Sequence, residues 1–266
     1  MARSMWRGSL SFGLVNVPVA VFSAVRDMDV RFNQLDSESG ARLRVQRVCK
    51  EEDKEIPYEE LAHGYPRENG EGYVMLTDEE LAAAQPEKTR TIDIDEFVPL
   101  SDIDPIYFDH PYFLVPVGEG EGPLRAYKLL VAAMEDCGGR VALGRFVLRT
   151  KEYVVALRVR DGLLQLSTML FADEVRDVKE LPLPDRRKKD HKPEKTELEA
   201  AVALIEELST DWDPKAHKDR HRERLLKIVE KKRKGQTIKA PAEPGMPAAV
   251  PDLMAALQES LAAARG

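Results

Sequence analysis

The sequence predicts a mainly β protein followed by a C-terminal α-helical region, and three observations support this fold class. Alternating apolar residues recur in short runs between Trp6 and about residue 178, the pattern of strands with one buried face. A proline- and charge-rich stretch begins at Leu181 and marks a linker or an extended arm. Beyond it, a capping box at Thr196 and a leucine stripe near the C-terminus indicate helices.

The chain opens with two alternating apolar runs that are out of phase by one residue. The first run ends at Leu14 and the second begins at Val15, with Gly13 beside the change. Such a shift predicts a bulge or a tight bend that keeps the apolar side of both runs on one core. Pro18 lacks an N–H donor, so we expect it at a sheet edge or at the start of a strand.

The next elements follow from local pattern. The stretches "VRFNQLD" and "RLRVQRVC" alternate and predict strands, whereas residues 56–64 predict a short helix. Residues 72–86 predict a strand and then a helix that Thr77 and Glu80 cap as a box. Two strands are expected within residues 90–117.

A helix and a long β region come next. The helix is expected over residues 123–137 and ends at Gly138. The β region covers residues 140–175, and "RDG" is its hairpin turn.

The C-terminal region predicts three helices. Thr196 with Glu199 caps the first, and Asp213–Pro214 starts the second, which ends at Gly235. Residues 236–251 are rich in Ala, Pro and Gly and read as flexible. Residues 252–264 form the third, an amphipathic helix.

Composition favours a cytoplasmic protein with no membrane partner. The 266 residues are 43% hydrophobic and 33% charged, and no apolar run approaches the roughly 20 residues of a membrane helix. Small and polar residues such as Gly8 and Asn16 interrupt the N-terminal stretch, unlike a secretory signal. The two cysteines, Cys49 and Cys137, provide no disulfide framework.

Charge is segregated along the chain. Net charge is −7, yet residues 51–136 hold twenty-two Asp/Glu against six Lys/Arg, and residues 186–239 hold seventeen Lys/Arg against eleven Asp/Glu. Residues 1–50 are basic as well. Basic sections can therefore form one surface while the acidic section faces elsewhere.

Cations concentrate between residues 140 and 160, where a single acid, Glu152, opposes six Lys/Arg. Cations on paired strands can follow a phosphate backbone, although an ordinary solvated sheet face has the same composition. Strand parity places Arg145, Arg149 and Lys151 on one face, and Arg158 shares a face with its neighbour Arg160.

Other constellations are weaker. Asp93 and Asp95 lie on one strand face and could hold two metal ions in a nuclease, but the pattern favours aspartates that face water. His217 and His221 have a zinc-compatible spacing on one helix without a third ligand. Cys49 has no second cysteine nearby. We expect no metal, no cofactor, no small-molecule substrate and no catalytic residue.

The terminal helix carries an apolar stripe. The stripe consists of Leu253, Leu257 and Leu261. It could pack on the body of the protein, but the preceding residues look too flexible to dock it. A tethered amphipathic helix is a common device for partner binding, which we expect here.

Seven sequence blocks, in order, resemble the bacterial Ku family of DNA-end-binding proteins. They are "MWRGSLSFGLVNVPVAVFSA", "RFNQLD", "RLRVQRVC", "DIDPIYFDHPYFLVP", "ALGRFVLRTKEYVVALR", "LFADEVRD" and "DWDPKAHKDRHRERLLKIVEKKRKG". The resemblance covers residues 3–235, and the terminal segment is similar too. Many family members carry a Cys-x-x-Cys pair after the third block. Here acids and lysine follow Cys49, so a metal site based on that pair does not carry over.

The resemblance implies a β-barrel core with an extended arm. It divides the chain into a core with a DNA-encircling arm and a dimerisation surface (1–180), a basic linker and helical arm (181–235), and a flexible tail with a ligase-recruiting helix (236–266). It implies a nucleoid-associated homodimer that encircles double-stranded DNA ends in non-homologous end joining and recruits DNA ligase D.

We assign site residues within that frame. The expected DNA contacts are Arg140, Arg145, Arg149, Lys151 and Arg158 first, with Arg31, Arg42, Arg44 and Arg47 second. Leu253, Leu257 and Leu261 are expected at the ligase contact. Two other classes stay open: a metal-dependent nuclease that uses Asp93 and Asp95, and a scaffold that binds only protein.

Overall fold

The computed structural model describes residues 3–68, 70–86, 90–182, 194–238 and 252–265. The chain divides into two compact units. The first, here the barrel unit, comprises residues 1–27 and 33–178, and the second, the helical unit, comprises residues 28–32 and 179–266. Within the described ranges, no helix has the length and apolar character that crossing a bilayer requires.

The barrel unit is a closed β-barrel with strand order β1-β2-β6-β9-β8-β7-β5. The described strands are β1 Trp6–Phe12, β2 Val15–Ser23, β3 His63–Pro66, β4 Tyr73–Leu76, β5 Thr91–Val98, β6 Phe108–Pro116, β7 Val141–Leu148, β8 Lys151–Arg160 and β9 Leu163–Met169. Strands β3 and β4 form a separate two-stranded sheet. The described helices are α1 Asp78–Ala83, α2 Glu121–Asp136, α3 Lys195–Leu208, α4 Arg220–Arg233 and α5 Leu253–Arg265. The mainly β class, the barrel and the C-terminal helical region are thereby confirmed.

The bend predicted at Gly13 is a two-residue hairpin turn. Phe12 pairs with Val15 across it, and Gly13 has a φ of 58°. A glycine at the first central position suits a tight hairpin turn because it adopts positive φ without steric cost. The turn folds β2 back on β1, so Leu10 and Val17, paired across the two strands, are both buried in one core.

The expectation that Pro18 lies at an edge or a strand start is wrong, because Pro18 is inside β2, opposite Ser9. A proline is nevertheless tolerated inside β2, because no hydrogen bond of the ladder requires an N–H from residue 18. The Ser9 N–H donates to the Arg90 carbonyl, away from β2, and the Pro18 carbonyl accepts from Val117. The ring nitrogen of Pro18 therefore points to the end of β6, where the regular β2–β6 pairing has stopped at Val19 opposite Pro116.

Helix α2 packs on the barrel, and its buried face joins the barrel core. This face consists of Tyr127, Leu130, Val131 and Met134. The Tyr127 hydroxyl donates to the Leu114 carbonyl (2.7 Å) and accepts from the Leu164 N–H (2.8 Å), so it bridges paired residues of β6 and β9. Burial raises the pKa of Tyr127, which keeps this phenol neutral.

The segment between β2 and β5 differs from the sequence expectation. "VRFNQLD" and "RLRVQRVC" form no strands; their only ladder contacts in the described chain are the isolated bridges Leu35–Arg42 and Val48–Glu55. The helix expected over residues 56–64 is a 3₁₀ turn over Tyr58–Glu60, followed by β3. Alternation gives these two stretches the capacity to form strands, but within the described residues neither has a partner strand that continues the pairing beyond a single bridge. The Thr77–Glu80 capping box is present and starts α1.

The helical unit contains the three predicted helices with shifted starts. Helix α3 begins at Lys195 with a Glu194–Glu197 box, not with Thr196 and Glu199. Helix α4 begins at Arg220 under an Asp219 cap rather than at Asp213–Pro214, since residues 214–216 form only a turn. Gly235, with a φ of 72°, follows α4 as predicted. Most of the stretch read as flexible, residues 239–251, lies outside the described residues.

Candidate nucleic-acid interface

Three arginines converge at the end of the barrel where α2 leads into β7. Arg140 precedes β7, and Arg158 and Arg160 lie near the end of β8. All three line one cleft of about 300 Å³, together with Glu135 and backbone from Gly139. We call these three residues the arginine cleft. Their guanidinium groups present planar donors of the kind that phosphate oxygens accept.

Among the residues that the structure describes, most of the guanidinium groups in the arginine cleft are not paired with a carboxylate and can bind a phosphate. Within the described chain, neither Arg140 nor Arg158 is within ion-pair distance of a carboxylate; the Arg158 Nε donates to the amide oxygen of Gln165 (3.3 Å). The Nε of Arg160 lies 3.6 Å from the exposed carboxylate of Asp161, the one acidic partner it has among the described residues. An exposed pair of that kind contributes little, so Arg160 can exchange it for a phosphate.

Arg145 is in a different electrostatic state. Its Nε lies 3.8 Å from Asp95 and its Nη1 lies 3.4 Å from Glu152. Two carboxylates therefore flank this guanidinium on the outer face of the barrel, where Arg145 pairs with Val154 of β8. Of the cations expected on β7 and β8, Arg145 has the least charge to offer an incoming phosphate.

The parity assignment of Lys151 is wrong. Lys151 pairs with Leu148, which puts it on the same face as Phe146 and opposite to Arg145. The cause is a two-residue turn at Arg149 and Thr150, because parity does not carry through a turn. Arg158 and Arg160 do share one face, and it is the Arg145 face.

Lys151 and Arg149 mark the barrel end far from the arginine cleft. The Lys151 Nζ lies 3.3 Å from Glu174 and 5.2 Å from the centre of the Tyr153 ring. A hydrogen bond from the Phe171 N–H, and then Lys151, lowers the pKa of Glu174, so this carboxylate stays charged. Arg149 is exposed, with a φ of 63°. Burial raises the pKa of Tyr112, and the nearby Arg149 acts against that rise.

The barrel cations therefore form no single stripe. At a strand rise of about 3.3 Å per residue, Lys151 and Arg158 lie roughly 23 Å apart along β8, on opposite faces. The structure brings Arg140 and Arg158 together with Arg160, which the sequence-based selection left out. The sequence did indicate Arg160, because it lies two residues after Arg158 on the same strand and therefore on the same face.

The cations of the segment after β2 are dispersed. Arg44 pairs with Glu55 at 3.2 Å, and the Arg47 guanidinium lies 5.4 Å from the centre of the Tyr58 ring. Arg42 lies opposite Leu35 in an isolated bridge. Arg31 belongs to the helical unit, not to the barrel unit.

The alternative metal sites find no support in the described residues. Asp93 and Asp95 are exposed, and Asp93 pairs in the ladder with Arg145, as the solvated-face interpretation predicts. His217 stacks on Trp212 at 4.9 Å before α4 begins, so it shares no helix with His221. Across the described parts of the chain, no three His, Cys, Asp or Glu side chains group as a metal site.

The leucines of the terminal helix divide into two environments. Leu257 and Leu261 are half-buried, whereas Leu253 is 57% exposed. Helix α5 packs on α3. The expectation that a flexible tether leaves this helix undocked is therefore wrong.

Comparisons with known proteins agree with the barrel. A family model described as the Ku70/Ku80 beta-barrel domain matches residues 11–200. A protein of Anaeromyxobacter sp. (strain K), named "Non-homologous end joining protein Ku", is 44% identical over the whole chain and 87% of its own length. Proteins of the same name from Coxiella burnetii and Mycobacterium tuberculosis are 37% and 36% identical, each over 98% of this chain. The matches cover 94% and 95% of those two relatives.

Proposed function

The chain belongs to the Ku family, and from this membership we propose that it binds the ends of double-stranded DNA in non-homologous end joining. Binding of this kind is sequence-independent and involves no catalysis, because contacts to phosphate and sugar carry no direct sequence information. The protein then acts in the cytoplasm, at the nucleoid.

The observation that carries the proposal is the arginine cleft. It gathers three guanidinium groups at one end of the barrel, and two of them lack a carboxylate partner among the described residues. Guanidinium groups without a carboxylate partner can displace counterions from DNA without first breaking an ion pair. We propose that Arg140, Arg158 and Arg160 make the strongest phosphate contacts. Weaker contacts come from the other expected residues, which are Arg31, Arg42, Arg44, Arg47, Arg145, Arg149 and Lys151.

The proposed active form is a homodimer. Two apolar surfaces are uncovered in the described chain: a cleft of about 560 Å³ beside Phe12 and Leu129, and the α3 stripe with Val202 and Ile205. Exposed apolar surfaces often mark interaction sites, and in the proposed dimer a second copy of the chain covers these two surfaces. A symmetric dimer presents two copies of the arginine cleft.

The proposed ring closes through residues 33–86, which lie between β2 and β5 and add no strand to the barrel. Residues 51–86 hold eleven Asp/Glu against two Lys/Arg. That charge repels phosphate, so this arm encircles DNA with its acidic side outward, while the barrels provide the cationic lining. Entry is then possible only at a free end.

The proposed partner is DNA ligase D, which the terminal helix recruits through Leu253, Leu257 and Leu261. An amphipathic helix in an apolar groove is a common recognition mode, and α5 has the required apolar stripe. The ring would hold the end while the ligase seals it.

Titration of a linear duplex with the purified protein tests this function against both alternatives. We expect binding in EDTA that weakens steeply between low and moderate salt, and intact DNA after incubation with Mg²⁺. A protein-only scaffold would show no salt-sensitive DNA affinity. Cleavage that needs Mg²⁺ and disappears in Asp93→Asn would instead establish the nuclease.

A further inference from the structure

The terminal helix α5 lies along α3 within the helical unit. Its half-buried positions include Met254, Leu257, Leu261 and Ala264, whose spacing places them on one stripe. The C-terminal turns of both helices are adjacent, and the Nε of Arg265 lies 3.1 Å from Glu207. The apolar stripe of α5 is therefore the side that α3 covers.

Helix α3 has two apolar faces, one half-buried and one exposed. The half-buried face contains Ala200, Ala201 and Leu204, and its small side chains let another helix approach closely. The other face, with Val202 and Ile205, stays exposed. Docking of α5 thus uses a distinct α3 surface and leaves the face that we assign to the dimer uncovered.

We propose that α3 competes with DNA ligase D for α5 and holds the terminal helix in a closed state, an inference that rests on the ligase recruitment proposed above. Of the three leucines assigned to the ligase, Leu257 and Leu261 lie on the covered stripe, and only Leu253 is freely exposed. A groove that takes this stripe cannot bind α5 while α3 does.

The contact between α5 and α3 is weak enough for α5 to undock. The Arg265–Glu207 pair has side-chain exposures of 60% and 36%, and exposed pairs of this kind contribute little. The apparent ligase affinity is the intrinsic affinity multiplied by the fraction of α5 that is undocked. Changes on α3 that weaken docking therefore strengthen ligase binding without altering any residue of α5.

A pair of charge reversals on adjacent residues tests the competition in the full-length protein. Glu207→Lys places a cation beside Arg265, whereas Glu206→Lys makes the same charge change on a neighbour without that contact. We expect Glu207→Lys to bind purified ligase D about three- to tenfold more tightly than the wild type. Glu206→Lys should match the wild type, and Glu207→Lys with Arg265→Glu should return towards it.

A second variant and a second readout separate the possible failures. Leu204→Glu should release α5 more fully, with a gain of about tenfold or more, and should speed amide hydrogen exchange in residues 253–265, because a free helix of that length is marginal. Equal ligase affinity in all α3 variants, together with loss of binding in Leu261→Glu, would leave recruitment intact and overturn the competition. No ligase binding by any variant would overturn recruitment itself. Unprotected α5 amides in the wild type would show that no closed state exists.

Discussion

Removal of the arginine cleft is expected to abolish most of the DNA affinity. In the variant with Arg140→Gln, Arg158→Gln and Arg160→Gln, a dimer loses six phosphate contacts. Each contact contributes about 0.9 to the slope of log affinity against log salt, so the slope should become shallower by about five. Near physiological salt, affinity for a linear duplex should fall by roughly 10³–10⁴-fold.

The matched control removes the same charge elsewhere. Arg90, Arg125 and Lys128 are exposed, and none of them lies in the proposed arm or among the residues that we assign to DNA. Changing all three to Gln also alters net charge by three, so it reproduces the long-range electrostatic effect alone. A gel-shift titration at several salt concentrations measures both slopes. An unchanged slope in the cleft variant, or an equal loss in the control, would remove the arginine cleft from the interface.

Closure of the barrel depends on glycine beside β5, and Gly144→Ala should cause a large loss of stability. A Cβ on Gly144 would lie 2.1 Å from the Asp93 carbonyl oxygen, far inside van der Waals contact, and the obstacle is backbone. Strand β5 must move, and its register with β7 already shifts between Ile94 and Glu96. We expect the free energy of unfolding to fall by about 3 kcal/mol or more, at or beyond the upper end of typical overpacking costs.

Gly122→Ala is the control for this experiment, because the same substitution is expected to cause no loss of stability there. Gly122 lies in the first turn of α2, and a Cβ there meets nothing within 4 Å. Alanine in a helix is favoured by up to about 1 kcal/mol, so this variant should be as stable as the wild type or slightly more stable. Urea unfolding in a Trp212→Phe background measures both, because Trp6, edge-on to Phe146 at 5.1 Å, is then the only tryptophan. Equal midpoints for the two variants would contradict the close approach of β5 and β7.

Strands were predictable where an alternating segment pairs with a neighbouring strand on each side and buries one face. Residues 91–98, 108–116 and 141–169 alternate, pair on two sides and bury one face, and the structure has strands there. "RLRVQRVC" alternates as well but, in the described chain, forms only isolated bridges, at Arg42 and Val48. An alternating pattern shows that a segment can form a strand. Whether it does depends on a partner strand, which often lies far away in the sequence.

The candidate site was less predictable than the fold because side-chain direction depends on turns. "RDG" is a recognisable turn, and Asp161 and Gly162 do adopt positive φ. The turn at Arg149 has no such signal, since arginine seldom adopts positive φ. Because this turn was not predicted, Lys151 was assigned to the wrong face. Ion pairing was equally hidden. Nothing in the order of residues indicates that Asp95 and Glu152 meet at Arg145.

We propose that the protein encircles DNA and loads only at a free end. The most direct measurement loads the protein on a linear duplex in EDTA, ligates the ends, and then raises the salt. We expect the protein to stay on the closed circle in high salt and to leave when the circle is cut, while circles closed beforehand acquire none. Equal binding to circles closed before loading, with release at high salt in every case, would contradict the ring and leave an electrostatic contact alone.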